Sequence, residues 1–195
     1  TAMYELGKYQ EALEYFRAAL EQTNRPTENL LYLTGMANYQ LERWEQAIVH
    51  FERVVEGSDT AAQGSAYYLG FSYMATDRPD DARFASRRAT ELYKKPAFTQ
   101  AGLFNYGKLS FQQKYYPDAL ASLKKYVKQY PSADNVDEAE GLIARTLYYS
   151  NAYQEALAYF KASGMRDEET RVANQRTNLY YGLKLFEQNK VDSAE

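Results

Sequence analysis

An interval that repeats without drift constrains this chain more than any other feature. Alanines that follow a turn stand at Ala12, Ala47, Ala82, Ala119, Ala156 and Ala194, a period of 35 to 38 residues. Upstream of the last five lies a small residue, Gly35, Gly70, Gly107, Ala144 or Gly182, always 12 residues before its alanine. The distance from an alanine to the next small residue instead grows from 23 to 26. One part of the unit therefore has a fixed length, and insertions fall in the connection between units.

Both halves of the unit read as helices. Around Gly35 the segment LLYLTGMANYQL holds no proline, and its apolar residues recur three and four apart. In the following WEQAIVHFERVVE, Trp44, Ala47, Phe51 and Val54 share one stripe. Turn signals divide the halves at Glu42-Arg43, Asp77-Arg78-Pro79, Lys114-Tyr115-Tyr116-Pro117, Ser150-Asn151 and Asn189-Lys190. Pro79 and Pro117 each precede an acidic residue, as at the first turn of a helix, while Pro26, Pro96 and Pro131 fall between units. Mid-helix glycine costs about 1 kcal/mol against alanine, so its recurrence needs a reason. Close approach of two antiparallel helices, at Gly35 and Ala47 and their equivalents, supplies one.

Leu69-Gly70-x-x-Tyr73, Tyr106-Gly107, Tyr181-Gly182, Ala12-x-x-x-Phe16, Ala47-x-x-x-Phe51, Ala156-x-x-x-Phe160 and Tyr130-Pro131 together resemble the tetratricopeptide-repeat (TPR) pattern over essentially the whole length. Departures are Thr34 before Gly35, Ser86 and Leu123 in place of Phe, and a unit longer than the family's ~34 residues. The resemblance implies an all-α fold, a right-handed α-solenoid of antiparallel helix hairpins. The chain divides into a partial unit 1–26, units at about 27–61, 62–96, 97–133 and 134–166, and a partial unit 167–195. Neither end reads as a polar cap, so the expectation is a piece of a longer protein.

Composition removes most chemistry. There is no cysteine and one histidine, which excludes disulfides, thiolate metal sites and a cysteine nucleophile. His50 lies one residue before Phe51 and reads as a lone exposed helix residue. The acidic clusters Asp80-Asp81, Asp137-Glu138-Glu140 and Asp167-Glu168-Glu169 sit where helices begin, and acids there favour the positive end of the dipole. No EF-hand, Walker loop or dinucleotide fingerprint occurs. The expectation is a protein with no catalytic residues, no cofactor and no metal. No stretch approaches ~18 uninterrupted apolar residues, so no transmembrane segment is expected. Net charge is -3, distributed as -5 over residues 1–62, +6 over 63–128 and -4 over 129–195. A nucleic-acid-binding domain would be basic overall, so no nucleic-acid partner is expected.

What stands out is 20 Tyr and 9 Phe. In the TPR family the first helix of each unit lines the concave face, and offsets of -6, -3, +1 and +4 from the small residue share one side of a helix. They select Asn29, Tyr32, Met36 and Tyr39; Gly64, Tyr67, Phe71 and Met74; Ala101, Phe104, Lys108 and Phe111. In the later units they select Glu138, Gly141, Arg145 and Tyr148, then Arg176, Leu179, Leu183 and Phe186. Tyr4 takes the last place in the truncated first unit. The peptide-binding groove expected from this stripe comprises Tyr32, Met36, Tyr39, Tyr67, Phe71, Met74, Phe104, Lys108, Phe111, Arg145, Tyr148, Leu183 and Phe186. Aromatic residues and arginine dominate interface hot spots, and tyrosine adds a hydroxyl at low entropic cost. The competing reading is that some rings only fill space against the next unit. Family members that clamp C-terminal carboxylates use lysine and asparagine here, whereas the +1 places are Met36, Phe71, Lys108, Arg145 and Leu183. Arg83, Arg87, Arg88, Lys124, Lys125 and Lys128, on second helices, read as a solvated convex face.

The leading expectation is a non-enzymatic scaffold that binds a protein or peptide in a concave aromatic groove. A regulatory or sensor module of a larger protein and a single-stranded RNA reader are the alternatives, the latter opposed by the acidic ends. The stretch YYPDALASLKKYVKQYPSADNVDEA resembles repeats of bacterial cell-envelope assembly proteins, which points to the cell envelope or periplasm. Apolar terminal units offer a route to oligomers.

Overall fold

The computed structural model describes residues 6–92, 94–162 and 168–188. Among these residues the chain forms α1 (Tyr9–Glu21), α2 (Glu28–Gln40), α3 (Trp44–Phe51), α4 (Thr60–Ala75), α5 (Pro79–Glu91), α6 (Pro96–Gln112), α7 (Tyr116–Gln129), α8 (Val136–Tyr149), α9 (Tyr153–Ala162) and α10 (Glu168–Glu187), and no strand. The fold is the all-α solenoid of helical hairpins that the repeats predict. Tyr4, Asp167, the turn at Asn189-Lys190 and Ala194 lie outside the described residues. No described helix is long and apolar enough to cross a membrane.

Two compact units share the chain, the first ending at Asn105 and the second beginning at Tyr106, so α6 contributes to both. In the first, α2 pairs with α3 and α4 with α5, and α2 also lies against α4. In the second, α8 pairs with α9 and lies against α10. Thr27 Oγ1 accepts from the Leu30 amide at 3.2 Å and Asp59 Oδ1 from the Ala62 amide at 2.8 Å, capping α2 and α4. Pro79 opens α5 and Pro96 opens α6, while Asp80, Asp81, Glu168 and Glu169 occupy first turns. Pro96 is thus a helix-starting residue rather than part of a connection.

The 12-residue interval has a backbone cause. Among the described residues five have left-handed φ: Gly7 (75°), Glu42 (55°), Asp77 (55°), Lys114 (64°) and Asn151 (59°). Each stands five residues before a repeat alanine, and the last four stand seven after a small residue. The amide after each of those four donates five residues back: Arg43 to Asn38 O at 2.9 Å, Arg78 to Tyr73 O at 2.8 Å, Tyr115 to Ser110 O at 2.8 Å and Ala152 to Leu147 O at 2.9 Å. The left-handed residue's own amide donates three back, as Glu42 does to Tyr39 O at 3.0 Å. Both bonds define a Schellman turn, which fixes the step from one helix to the next and leaves no room for an insertion. A non-glycine residue in this conformation costs about 1–2 kcal/mol. Lys114→Gly is therefore expected to raise stability by about 1 kcal/mol and Lys114→Val to lower it by a similar amount. Paired urea titrations check this, and a stabilising valine would contradict the turn.

The recurrent small residue does permit close approach, and the nearest side chain it meets lies one turn beyond the alanine. A Cβ on Gly35 would lie 2.6 Å from the Phe51 ring, and one on Gly107 would lie 2.5 Å from Leu123 Cγ. A Cβ on Gly70 would lie 3.1 Å from Ser86 Oγ. The partner is thus the residue four beyond the alanine, one helical turn further along the second helix. Phe51, Leu123 and Phe160 at that place are fully buried.

Two surface expectations need correction. His50 is half-buried rather than exposed, and its Nδ1 is enclosed with no hydrogen-bond partner among the described residues. Burial, followed by Arg53 and Arg17, holds its pKa below the ordinary histidine value. Arg83 is buried, and Arg88 donates to the carbonyls of Val55 (3.3 Å), Glu56 (3.4 Å) and Gly57 (2.8 Å). Arg88 thereby closes the loop that follows α3, where carbonyls lack helical partners. Neither arginine belongs to a purely solvated face.

Candidate functional site

In unit 1 the rings of the first helices form a connected set. Tyr68 is its hub, with centroids 4.8 Å from Tyr39, 5.0 Å from Tyr67, 5.8 Å from Phe51 and 6.0 Å from Phe98. Tyr67 stacks on Phe98 at 4.9 Å and meets Phe71 edge-on at 5.0 Å. These tilted and stacked contacts lie within the range that stabilises aromatic pairs. Tyr32 turns toward the next repeat, where a Cβ on Gly64 would lie 2.7 Å from its hydroxyl. Tyr32 therefore fills the space between α2 and α4, and Gly64 is the residue that admits it.

The predicted stripe thus divides. Met36 and Phe104 are buried, and Asn29 is exposed. Tyr32, Tyr39, Tyr67 and Ala101 are half-buried, and Gly64 is buried. Phe71 and Met74, neighbours on α4, keep 39% and 47% of their surface open. Burial raises the pKa of Tyr67, and burial with the nearby Tyr67 raises that of Tyr39, so both phenols stay neutral hydrogen-bonding groups.

In unit 2 the stripe gathers around a cavity of about 390 Å³ lined by Phe111, Arg145, Tyr148, Tyr149, Glu168, Glu169, Val172, Ala173 and Arg176. The Arg145 guanidinium lies 5.1 Å from the centre of the Phe111 ring and pairs with Glu169. Tyr148 contacts Tyr149 at 5.1 Å, Tyr153 at 6.1 Å and Tyr180 at 6.2 Å. Burial, then Tyr180, raises its pKa, while Arg176 opposes the rise. Lys108 pairs with Glu138 at 2.8 Å, and Gly141 is buried where an added Cβ would lie 3.4 Å from Thr170 Oγ1. Leu179, Leu183 and Phe186 of α10 are exposed, Phe186 by 61%.

Several residues outside the stripe take part. Tyr68, Tyr149 and Tyr180 each adjoin another tyrosine in sequence, and the doublets Tyr67-Tyr68, Tyr148-Tyr149 and Tyr180-Tyr181 are the signal that could have found them. Phe84 on α5 is half-exposed, with Arg83 at 4.7 Å and Arg87 at 5.9 Å over its ring. It borders a second cavity of about 400 Å³ that includes Tyr73, Arg88 and Glu91. Tyr73 donates to Glu52 Oε1 at 2.7 Å, and burial with that bond holds its pKa well above the usual phenol value. Among the described residues no group of three His, Asp or Glu side chains is placed to hold a metal ion.

The family model for the tetratricopeptide repeat matches residues 1–65 and 67–134, more than half of the chain. No curated protein matches the sequence. Among solved structures, YrrB, described as a TPR protein with an unusual peptide-binding site, superposes with a TM-score of 0.59 at 18% identity, covering 93% of this chain and 88% of its own. MamA AMB-1 gives 0.58 at 17% identity over 86% of this chain and 92% of its own. A putative kinesin light chain of Podosopora anserina with nearly identical TPR-like repeats gives 0.56 at 16% identity over 90% and 91%. At such identities the likeness is one of fold.

Proposed function

Because the chain belongs to the tetratricopeptide-repeat family, we propose that it is a non-enzymatic protein-interaction scaffold whose ring-bearing first-helix faces receive a peptide or partner segment. The observation that carries the reading is the unit 2 cavity, where stripe residues from three helices, Phe111 of α6, Arg145 and Tyr148 of α8 and Arg176 of α10, meet around one space. Pockets with convergent polar groups among apolar walls are where ligands bind. In unit 1 the open pair Phe71 and Met74 supports the same reading, because methionine and aromatic side chains suit adaptable apolar contacts. The solved YrrB structure, a TPR protein with a peptide-binding site, adds a precedent for the fold. A bacterial cell-envelope or periplasmic setting is proposed on the resemblance of residues 115–139 alone.

The test is panning of a random peptide library against the intact chain, followed by affinity measurement by fluorescence polarisation. Phe71→Ser with Met74→Ser, or Leu183→Ser with Phe186→Ser, is expected to weaken a selected peptide by about tenfold or more, since each pair removes more than 1.4 kcal/mol of apolar contact. Each pair is partly open, so the fold should be retained, and thermal melts separate lost binding from the lost Phe71–Tyr67 contact. Unchanged binding in both pairs, with loss on Phe84→Ser, would move the site to the second-helix side.

A further inference from the structure

We propose that the unit 2 cavity receives a carboxylate side chain carried within the partner segment, with Arg145 as its counter-ion and Glu169 as the group it displaces. The inference rests on the reading of this face as peptide-binding and assigns the chemistry of the ligand.

Charge is layered in this cavity. Arg145 forms the floor: its side chain keeps only 17% of its surface open, it lies on the Phe111 ring, and its Nε is enclosed with no hydrogen-bond partner among the described residues. A cation held this way needs an anion, because leaving a desolvated charge unpaired is costly. Its anion, however, is Glu169, which is 80% exposed in the first turn of α10. An exposed carboxylate loses little on being released to water, where a surface ion pair is worth about 0–1 kcal/mol. The other rim acid, Glu168, is paired with Arg171 on its own helix at 2.7 Å and does not compete for the floor. Arg176 stands at the same cavity as a second, exposed cation.

A ligand carboxylate therefore gains more here than it displaces. It reaches a planar guanidinium already oriented by an aromatic ring, which suits charge-assisted pairing. The walls set the neighbouring residue: Phe111, Tyr148, Tyr149 and Val172 offer an apolar surface beside the cation, so the acid should be adjacent to an aromatic or branched apolar residue. A basic ligand would meet Glu168 and Glu169 only at the rim, in high dielectric, with Arg145 repelling it from below.

The experiment uses seven-residue peptides with acetylated and amidated ends, panned on the intact chain, so that terminal charges play no part. Selected peptides are expected to carry Asp or Glu next to an apolar residue. Arg145→Gln should weaken the selected peptide by about tenfold or more, the scale of a charge-assisted hydrogen bond. Glu169→Gln, a surface change that leaves the fold alone, should tighten it about threefold by removing the internal competitor. Exchanging the peptide acid for its amide should cost as much as Arg145→Gln in the wild type and little further in that variant. Peptides without an acid, or binding insensitive to both variants, would overturn the carboxylate assignment while leaving peptide binding intact. Basic peptides that respond to Glu169→Gln alone would overturn it too. Failure to select any peptide would remove both readings.

Discussion

Replacing Gln63 by leucine is expected to cost unit 1 about 3 kcal/mol, and the loss should be local. The side chain is fully buried in α4, and every polar site on it is used. Its amide donates to Ala89 O and Thr99 Oγ1, both at 3.0 Å, and its oxygen accepts from the Lys94 amide at 3.0 Å and the Lys95 amide at 2.6 Å. One glutamine thereby joins the end of α5, the connection that follows it and the start of α6 to α4. Leucine fills a similar volume but leaves two amides and a carbonyl without partners, each worth about 1–3 kcal/mol when buried, with part recovered by solvent at the connection. Hydrogen exchange of the intact chain is the suitable readout, since repeat arrays need not unfold in one step. Amides in α4, α5 and the start of α6 should lose protection while those of α8 and α9 keep theirs. Uniform loss, or none, would contradict the role.

A second large effect is expected from alanine at the repeat glycines, and it should be graded by what each would touch. Alanine gains about 1 kcal/mol of helix propensity over glycine wherever space allows. Gly35→Ala meets the body of the buried Phe51 ring at 2.6 Å, and Gly107→Ala meets the branch atom of Leu123 at 2.5 Å. Neither neighbour has a free end to move, so overpacking of about 1–3 kcal/mol or more exceeds the gain, and both variants lose stability. Gly70→Ala has one tight contact, the Ser86 hydroxyl at 3.1 Å, with backbone atoms no nearer than 3.7 Å, and should be close to neutral or stabilising. Thermal melts of the three single variants give the order directly. Equal effects at all three would mean that the glycines serve the helices rather than the hairpin contacts.

The regularity of the fold was legible because one turn enforces it. A Schellman closure at Glu42, Asp77, Lys114 and Asn151 holds the small residue and the alanine at constant distance, and counting alone recovers that distance. The turns were placed from the sequence, but not their left-handed residue, since only Asp77 and Asn151 favour that conformation and Glu42 and Lys114 do not. The side chain that Gly35 meets was not legible, because repetition marks Ala47 and Phe51 equally and only the crossing of the helices distinguishes them.

For the candidate site, helical arithmetic picked one side of each first helix but not the depth of each residue. Depth depends on the next hairpin: Gly64 lets Tyr32 sink between repeats, and Met36 and Phe104 are enclosed, while Phe71, Met74 and Phe186 stay open. Gln63 was invisible, because a buried glutamine in an alanine-rich helix belongs to no motif. The arrangement of Arg145 over Phe111 under Glu169 was also out of reach, since it joins residues of three helices.

The central claim is that partner segments lie on the first-helix faces. Its most direct test is photocrosslinking of a library-selected peptide bearing a benzophenone, with the attachment points read by mass spectrometry. The account predicts crosslinks on α4 around Phe71 and Met74 and on α8 and α10 around Tyr148 and Phe186. Crosslinks confined to the second helices, around Phe84 on α5 or the outer residues of α7, would contradict it.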